Sequence, residues 1–171
     1  STLIFNALGG CVPVATGEFE GIGFREARFE EISEMRNYRA CVSDALKLSE
    51  RARLSGQVGG YRGSANLLSR CESDLGPAAN SVAREERMRN YGLSVVNYVK
   101  AGEVEKARKN LEAFKNSFDG SDLYLPSGAS FIDTMTLITG KVNEASQAEM
   151  AMMNVPAALR SEIQRARFWK N

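Results

Sequence analysis

The chain has 171 residues, of which 43% are hydrophobic and 25% charged, typical of one globular domain or a short array of repeats. Its 22 basic and 21 acidic residues leave a net charge of +1, which gives no general positive field to attract nucleic acid. The sequence contains no histidine, the usual general base of serine and cysteine nucleophile systems and the commonest transition-metal ligand. We therefore predict no catalytic, cofactor-binding or metal-binding residues, and we expect a protein that is not an enzyme.

The first 24 residues are rich in glycine and β-branched residues, with glycines at 9, 10, 17, 21 and 23. Such a composition favours irregular or extended backbone. We predict an extended N-terminal arm, or the remnant of a signal or anchor, over residues 1–24. Residues 25–171 are then expected to form a single helical domain.

Apolar residues recur every three or four positions over most of residues 25–171, which is the period of an amphipathic helix. The pattern predicts a long first helix over 25–54, a glycine-rich break over 55–64 and a short second helix over 65–75. The pair Gly76-Pro77 separates this helix from a third over 78–101, because glycine commonly follows a helix and proline commonly begins one.

The last three helices are predicted after Gly102. The fourth, over 104–118, has the most regular apolar stripe. A connector, Leu123-Tyr124-Leu125-Pro126, precedes a fifth helix capped by Ser127 or Ser130, and a sixth begins near Pro156. No segment alternates like a strand, and no run of about 18 apolar residues is present to span a bilayer. The predicted fold class is all-α.

One hairpin has the spacing of a known repeat. Over residues 91–118, Tyr91, Tyr98, Gly102, Ala107 and Leu111 stand at the aromatic, turn-glycine and small-residue positions of that repeat, and the segment resembles a tetratricopeptide repeat. The resemblance implies antiparallel helical hairpins stacked into a protein-binding scaffold. A generic pair of helices within an irregular helical bundle is the alternative.

Two of the three cysteines, Cys41 and Cys71, flank the glycine-rich break. If the second helix restarts at Gly56 or Gln57, the two cysteines reach the same axial level, and a disulfide becomes geometrically feasible. If it restarts at Ser64, they are misaligned by roughly two turns. Two reduced, buried cysteines are the alternative.

The third cysteine follows small residues in Leu8-Gly9-Gly10-Cys11, and this motif resembles the lipobox of bacterial lipoproteins. The resemblance implies a lipid on Cys11 and a periplasmic protein attached to a membrane such as the outer membrane. An ordinary N-terminal arm on a cytoplasmic protein is the alternative.

Together these features predict a non-catalytic scaffold that assembles with other protein subunits, with a bacterial envelope lipoprotein as the favoured setting. Nucleic acid and small-molecule substrates are not expected as ligands. The candidate partner-binding residues are the apolar positions of the N-terminal arm and of the connector: Leu3, Ile4, Phe5, Leu123, Tyr124 and Leu125. A cytoplasmic adaptor, or a subunit of an oligomeric assembly, is the second hypothesis. An enzyme that uses a carboxylate or lysine site is the third.

Overall fold

The computed structural model of the protein describes residues 18–140, with side chains from residue 23 onward. This part of the chain is all-α, as predicted, and its only extended pairing is a single bridge between Tyr124 and Ser130. The five helices are α1 (Glu18–Ser55), α2 (Val58–Ser73), α3 (Arg84–Lys100), α4 (Val104–Ser117) and α5 (Phe131–Thr139), and a 3₁₀ turn (Pro77–Ala79) lies between α2 and α3.

Consecutive helices pack against each other in chain order and run antiparallel. At one end of the first hairpin Gly60 lies beside Ala52, and at the other end Cys71 lies beside Cys41. The same reversal relates α2 to α3, because Ser64 contacts Asn97 while Glu72 contacts Arg87. The helices therefore form a stack of up-and-down hairpins.

The hydrophobic core has two parts. The first lies among α3, α4 and α5 and contains four packed aromatic rings, with the Phe114 and Phe118 centroids 5.1 Å apart. The second lies between α1 and α2 and includes Met35, Tyr38 and Leu68. Both parts contact α3, which therefore occupies the centre of the stack.

The first helix begins earlier than the sequence predicts. Residues Glu18 to Phe24 belong to α1, whereas the prediction placed them in the extended arm. Glutamates favour the first turns of a helix because they oppose its dipole, and here this preference outweighs the helix-weakening glycines at 21 and 23. The rest of the predicted arm, residues 1–17, lies outside the described residues.

The second helix also begins earlier, at Val58 instead of residue 65, so most of the predicted glycine-rich break is helical. The reversal of the chain needs only Gly56, whose φ of +70° is strained for other residues. Gly60 serves a different purpose, because a Cβ at this position would lie 2.8 Å from the Cβ of Ala52. The glycine thus permits α1 and α2 to approach closely.

The third helix is interrupted at its predicted start. Residues 77–79 form the 3₁₀ turn, and α3 proper begins only at Arg84, after Ala83 at a φ of +50°. This kink is fixed by side chains from both neighbours. The Ala79 amide donates to the Glu34 carboxylate of α1, and the Arg87 guanidinium donates to the carbonyls of Ala79 and Asn80.

The fourth helix, Val104–Ser117, lies where its apolar stripe predicts. Of the two capping residues considered for the fifth helix, Ser130 is the one used, and its hydroxyl accepts a hydrogen bond from the Asp133 amide. The predicted sixth helix lies outside the described residues.

Candidate protein-binding site

The connector between α4 and α5 is held to the helices on both sides. Arg84 donates to the Phe118 carbonyl and to the Ser121 hydroxyl, which fixes the start of the connector against α3. The Asp122 carboxylate accepts hydrogen bonds from the amides of Leu123 and Ile132, 2.7 and 3.0 Å away. These bonds link the connector to the first turn of α5. The connector backbone is therefore positioned before any partner binds.

An open groove of about 460 Å³ lies between this connector and α3, and we name it the connector groove. Gly92 lies on the α3 side, where a Cβ would come within 3.2 Å of Leu123. Charged groups are few and of both signs. The groove is lined by Glu85, Met88, Arg89, Gly92, Leu93, Val96, Asp122, Leu123, Tyr124, Leu125, Pro126 and Phe131. Its surface is therefore mainly apolar.

The three connector residues named from the sequence differ in their surroundings. Leu123 and Leu125 are half-buried and pack against the aromatic core, so they support the fold as well as line the groove. Tyr124 is 76% exposed. Its ring is consequently the side chain most available for contact with another molecule.

A second groove, between α1 and α3, lies on the other flank of α3 and includes Val42 and the 42% exposed Leu46. Arg39 and Glu86 bridge its two helices through two hydrogen bonds of 2.9 and 2.8 Å. The Arg39 guanidinium, by donating to this carboxylate, holds the pKa of Glu86 below its usual value. This groove is more strongly charged than the connector groove, since Lys47, Glu50 and Arg51 also line it.

The interior behind α3 is fixed by a polar network. The Asn97 amide donates to the hydroxyls of Ser64 on α2 and Ser49 on α1, at 3.0 and 3.3 Å. Asn110 of α4 donates to Ser69 of α2 and to Ser94 of α3. These bonds join four helices and hold α3 in one register, which keeps the walls of both grooves in place.

The structure joins Cys41 and Cys71 in a disulfide, with their Cα atoms 5.8 Å apart. This alignment follows from the early start of α2, close to the restart positions for which the axial levels match. The bond connects α1 to α2, and Val42, the residue after Cys41, lines the second groove.

The remaining sequence-predicted site residues, Leu3, Ile4, Phe5 and Cys11, lie outside the described residues. The contribution of α3 to the connector groove was not predicted. A signal was present in its sequence, because α3 carries Leu93 and Val96 in addition to the core positions Tyr91 and Val95, more apolar residues than one buried stripe needs.

Across residues 18–140, no group of three or more potential metal ligands is found, and no helix there is long and apolar enough to cross a membrane. Comparison with known proteins found no family model, no curated protein and no solved structure that matches the chain.

Proposed function

We propose that the protein is a non-catalytic scaffold that binds an apolar segment of another protein subunit in the connector groove. The observation that carries this proposal is the exposed ring of Tyr124 beside a mainly apolar groove whose backbone is fixed in advance. Tyrosine is enriched at protein interfaces because it buries a large area at little cost in conformational entropy. The partner is a hydrophobic segment, since the groove offers few charges to recognise a polar one.

The rigidity of the surroundings supports this role. A surface that is already ordered loses little conformational entropy when a partner binds, so more of the contact energy appears as affinity. Here Asp122 and Arg84 order the connector, and the Asn97 network orders α3.

The test uses the intact chain as bait in an extract of its native source, with Tyr124→Asp and Leu54→Asp as a matched pair. Both residues are more than 70% exposed, but Leu54 lies at the end of α1, away from the groove. We expect the partner captured by the wild type to be lost with Tyr124→Asp and kept with Leu54→Asp. The identified partner, purified, should bind with the same preference in calorimetry.

The N-terminal arm is tested in the same way with Leu3→Asp and Phe5→Asp. If every variant keeps the same partners, the groove is not the binding surface. If no partner binds and the purified chain converts a metabolite, the enzyme hypothesis with a carboxylate or lysine site replaces the scaffold.

We further propose that this scaffold works in the bacterial envelope as a lipoprotein attached through Cys11. The supporting observations are the lipobox-like motif and the Cys41–Cys71 disulfide, because disulfides persist mainly in oxidising compartments. The alternative is a cytoplasmic adaptor or oligomer subunit. The intact mass of the protein from its native source, with and without reductant, separates the two. Cleavage before an acylated Cys11 together with a bridged pair supports the envelope, whereas an unmodified Cys11 and reduced thiols support the cytoplasm.

A further inference from the structure

The first part of α1, residues 18–33, extends beyond the helix stack, and we name it the projecting arm. From residue 23 onward, Glu34 is the earliest residue of α1 in a hydrogen bond to another element, accepting from the Ala79 amide. Residues 23–33 are all exposed except Glu31, which is half-buried. At 1.5 Å per residue the projecting arm measures about 24 Å.

The projecting arm carries large apolar side chains without a described neighbour. Phe24 is 72%, Phe29 74% and Ile32 47% exposed. Ile32 shares a helix face with each phenylalanine, since the spacings are eight and three residues. Three such residues on one lone helix form an exposed apolar patch, which usually marks an interaction site.

The charge of the projecting arm indicates what covers this patch. The arm contains five acidic and two basic residues, so it is negative. Residues 156–171 of the same chain are positive, with four basic residues against the single acidic Glu162, and they have an apolar stripe of their own at Leu159, Ile163, Ala166 and Trp169. Opposite charge and matching amphipathic patterns make these two segments complementary.

The chain is also long enough. Residues 141–155 connect the end of α5 to the positive segment, and an extended stretch of this length reaches about 50 Å. Four packed helices at about 8 to 10 Å between axes separate α1 from α4 by about 30 Å, so the segment can reach the arm of its own chain.

We propose that residues 156–171 form an amphipathic helix that docks on the projecting arm of the same molecule, with its apolar stripe over Phe24, Phe29 and Ile32. The opposite net charges of the two segments favour this contact. The docked segment completes the fold at the first helix and removes the exposed patch from water.

Trp169 is the single tryptophan of the chain and therefore reports on the docking directly. In the intact 171-residue chain we expect blue-shifted tryptophan emission and slow quenching by acrylamide. The double substitution Phe24→Ser/Phe29→Ser should shift the emission to the red and raise the quenching constant several-fold. Leu54→Ser, at an equally exposed residue on the other end of α1, should leave both unchanged. Circular dichroism checks that each variant remains helical.

A charge exchange separates docking from a general effect on folding. Glu26→Lys/Glu30→Lys and Arg165→Glu/Arg167→Glu should each increase the quenching of Trp169, and the combination of all four should restore protection. The proposal is overturned if Trp169 is already exposed in the wild type, or if the substitutions on the arm leave its emission unchanged. It is equally overturned if protection disappears on hundredfold dilution while light scattering shows a dimer, because the segment then covers a second copy.

Discussion

Arg87 of α3 and Glu72 of α2 form a largely buried ion pair. Both side chains are 7% exposed, and Nη2 of the arginine lies 2.5 Å from Oε1 of the glutamate. The guanidinium also donates to the carbonyls of Ala79 and Asn80 at the end of the 3₁₀ turn and lies over the Phe118 ring at 5.7 Å. One side chain thus connects α2, the kink, α3 and the end of α4.

We predict that Arg87→Met is severely destabilising, because it leaves the Glu72 carboxylate buried without its partner. The expected loss in the free energy of unfolding is about 3 to 5 kcal/mol in urea denaturation. The matched control is Arg53→Met, which removes an ion pair to Glu50 whose side chains are 62% and 54% exposed and should leave stability nearly unchanged. Equal losses in the two variants would mean that the Glu72 pair is hydrated.

Leu111→Ala tests the packing of α4 on α3. Leu111 is 1% exposed and belongs to the aromatic core, so removing three carbons leaves a cavity there. We expect a loss of about 2 to 5 kcal/mol in the free energy of unfolding. Lys109→Ala, at an exposed position on the same helix, serves as the control. A loss below about 1 kcal/mol for Leu111→Ala would contradict the buried α3–α4 interface.

Reduction of the Cys41–Cys71 bond should lower the stability of the protein. The bond links residues separated by 30 positions and restricts the unfolded chain, which for such loops contributes about 2 to 4 kcal/mol. The double variant Cys41→Ala/Cys71→Ala should unfold at a lower urea concentration than the oxidised wild type and should lose its response to reductant. Cys11→Ser should keep that response in full. An unchanged wild-type midpoint in reductant would refute the prediction.

Burial raises the pKa of Tyr38 to about 12 from 10.0, so the folded protein retains this proton at pH values where the unfolded chain loses it. Stability from Tyr38 is therefore complete below about pH 10 and falls as the pH rises toward 12, by at most about 3 kcal/mol. Tyr38→Phe should flatten this decline, measured as urea midpoints on either side of pH 10. Burial also raises the pKa of Tyr91, so part of the slope should persist. An unchanged slope in Tyr38→Phe would show that Tyr38 is not its source.

The sequence predicts some elements well because their signals are local. The fourth helix was placed correctly since an uninterrupted apolar stripe needs nothing from the rest of the chain. The predicted start of α2 was wrong by seven residues. Glycines locally indicate a turn, but Gly60 instead allows α1 and α2 to approach each other closely. Such a use depends on Ala52 across the interface, which no local pattern reveals.

The candidate site was predictable on one side only. The connector was identified from its apolar composition, and Tyr124 is indeed exposed. The α3 side was not, because Leu93 and Val96 are of the same residue types as the core positions beside them. Only the packing of α2 and α4 against the other faces of α3 determines which of these residues remain accessible.

The Cys41–Cys71 bond has a mechanical consequence. When the two ends of the chain are pulled apart, tension passes through the bond and bypasses the 29 residues between the cysteines, because the linked residues are 30 positions apart. Nearly all of α2 and the final turns of α1 lie within this loop. Complete extension of the oxidised protein should therefore fall short of the reduced protein by roughly 100 Å. Under force the helices that follow α2 should unfold and extend, while the disulfide keeps α1 and α2 linked to each other.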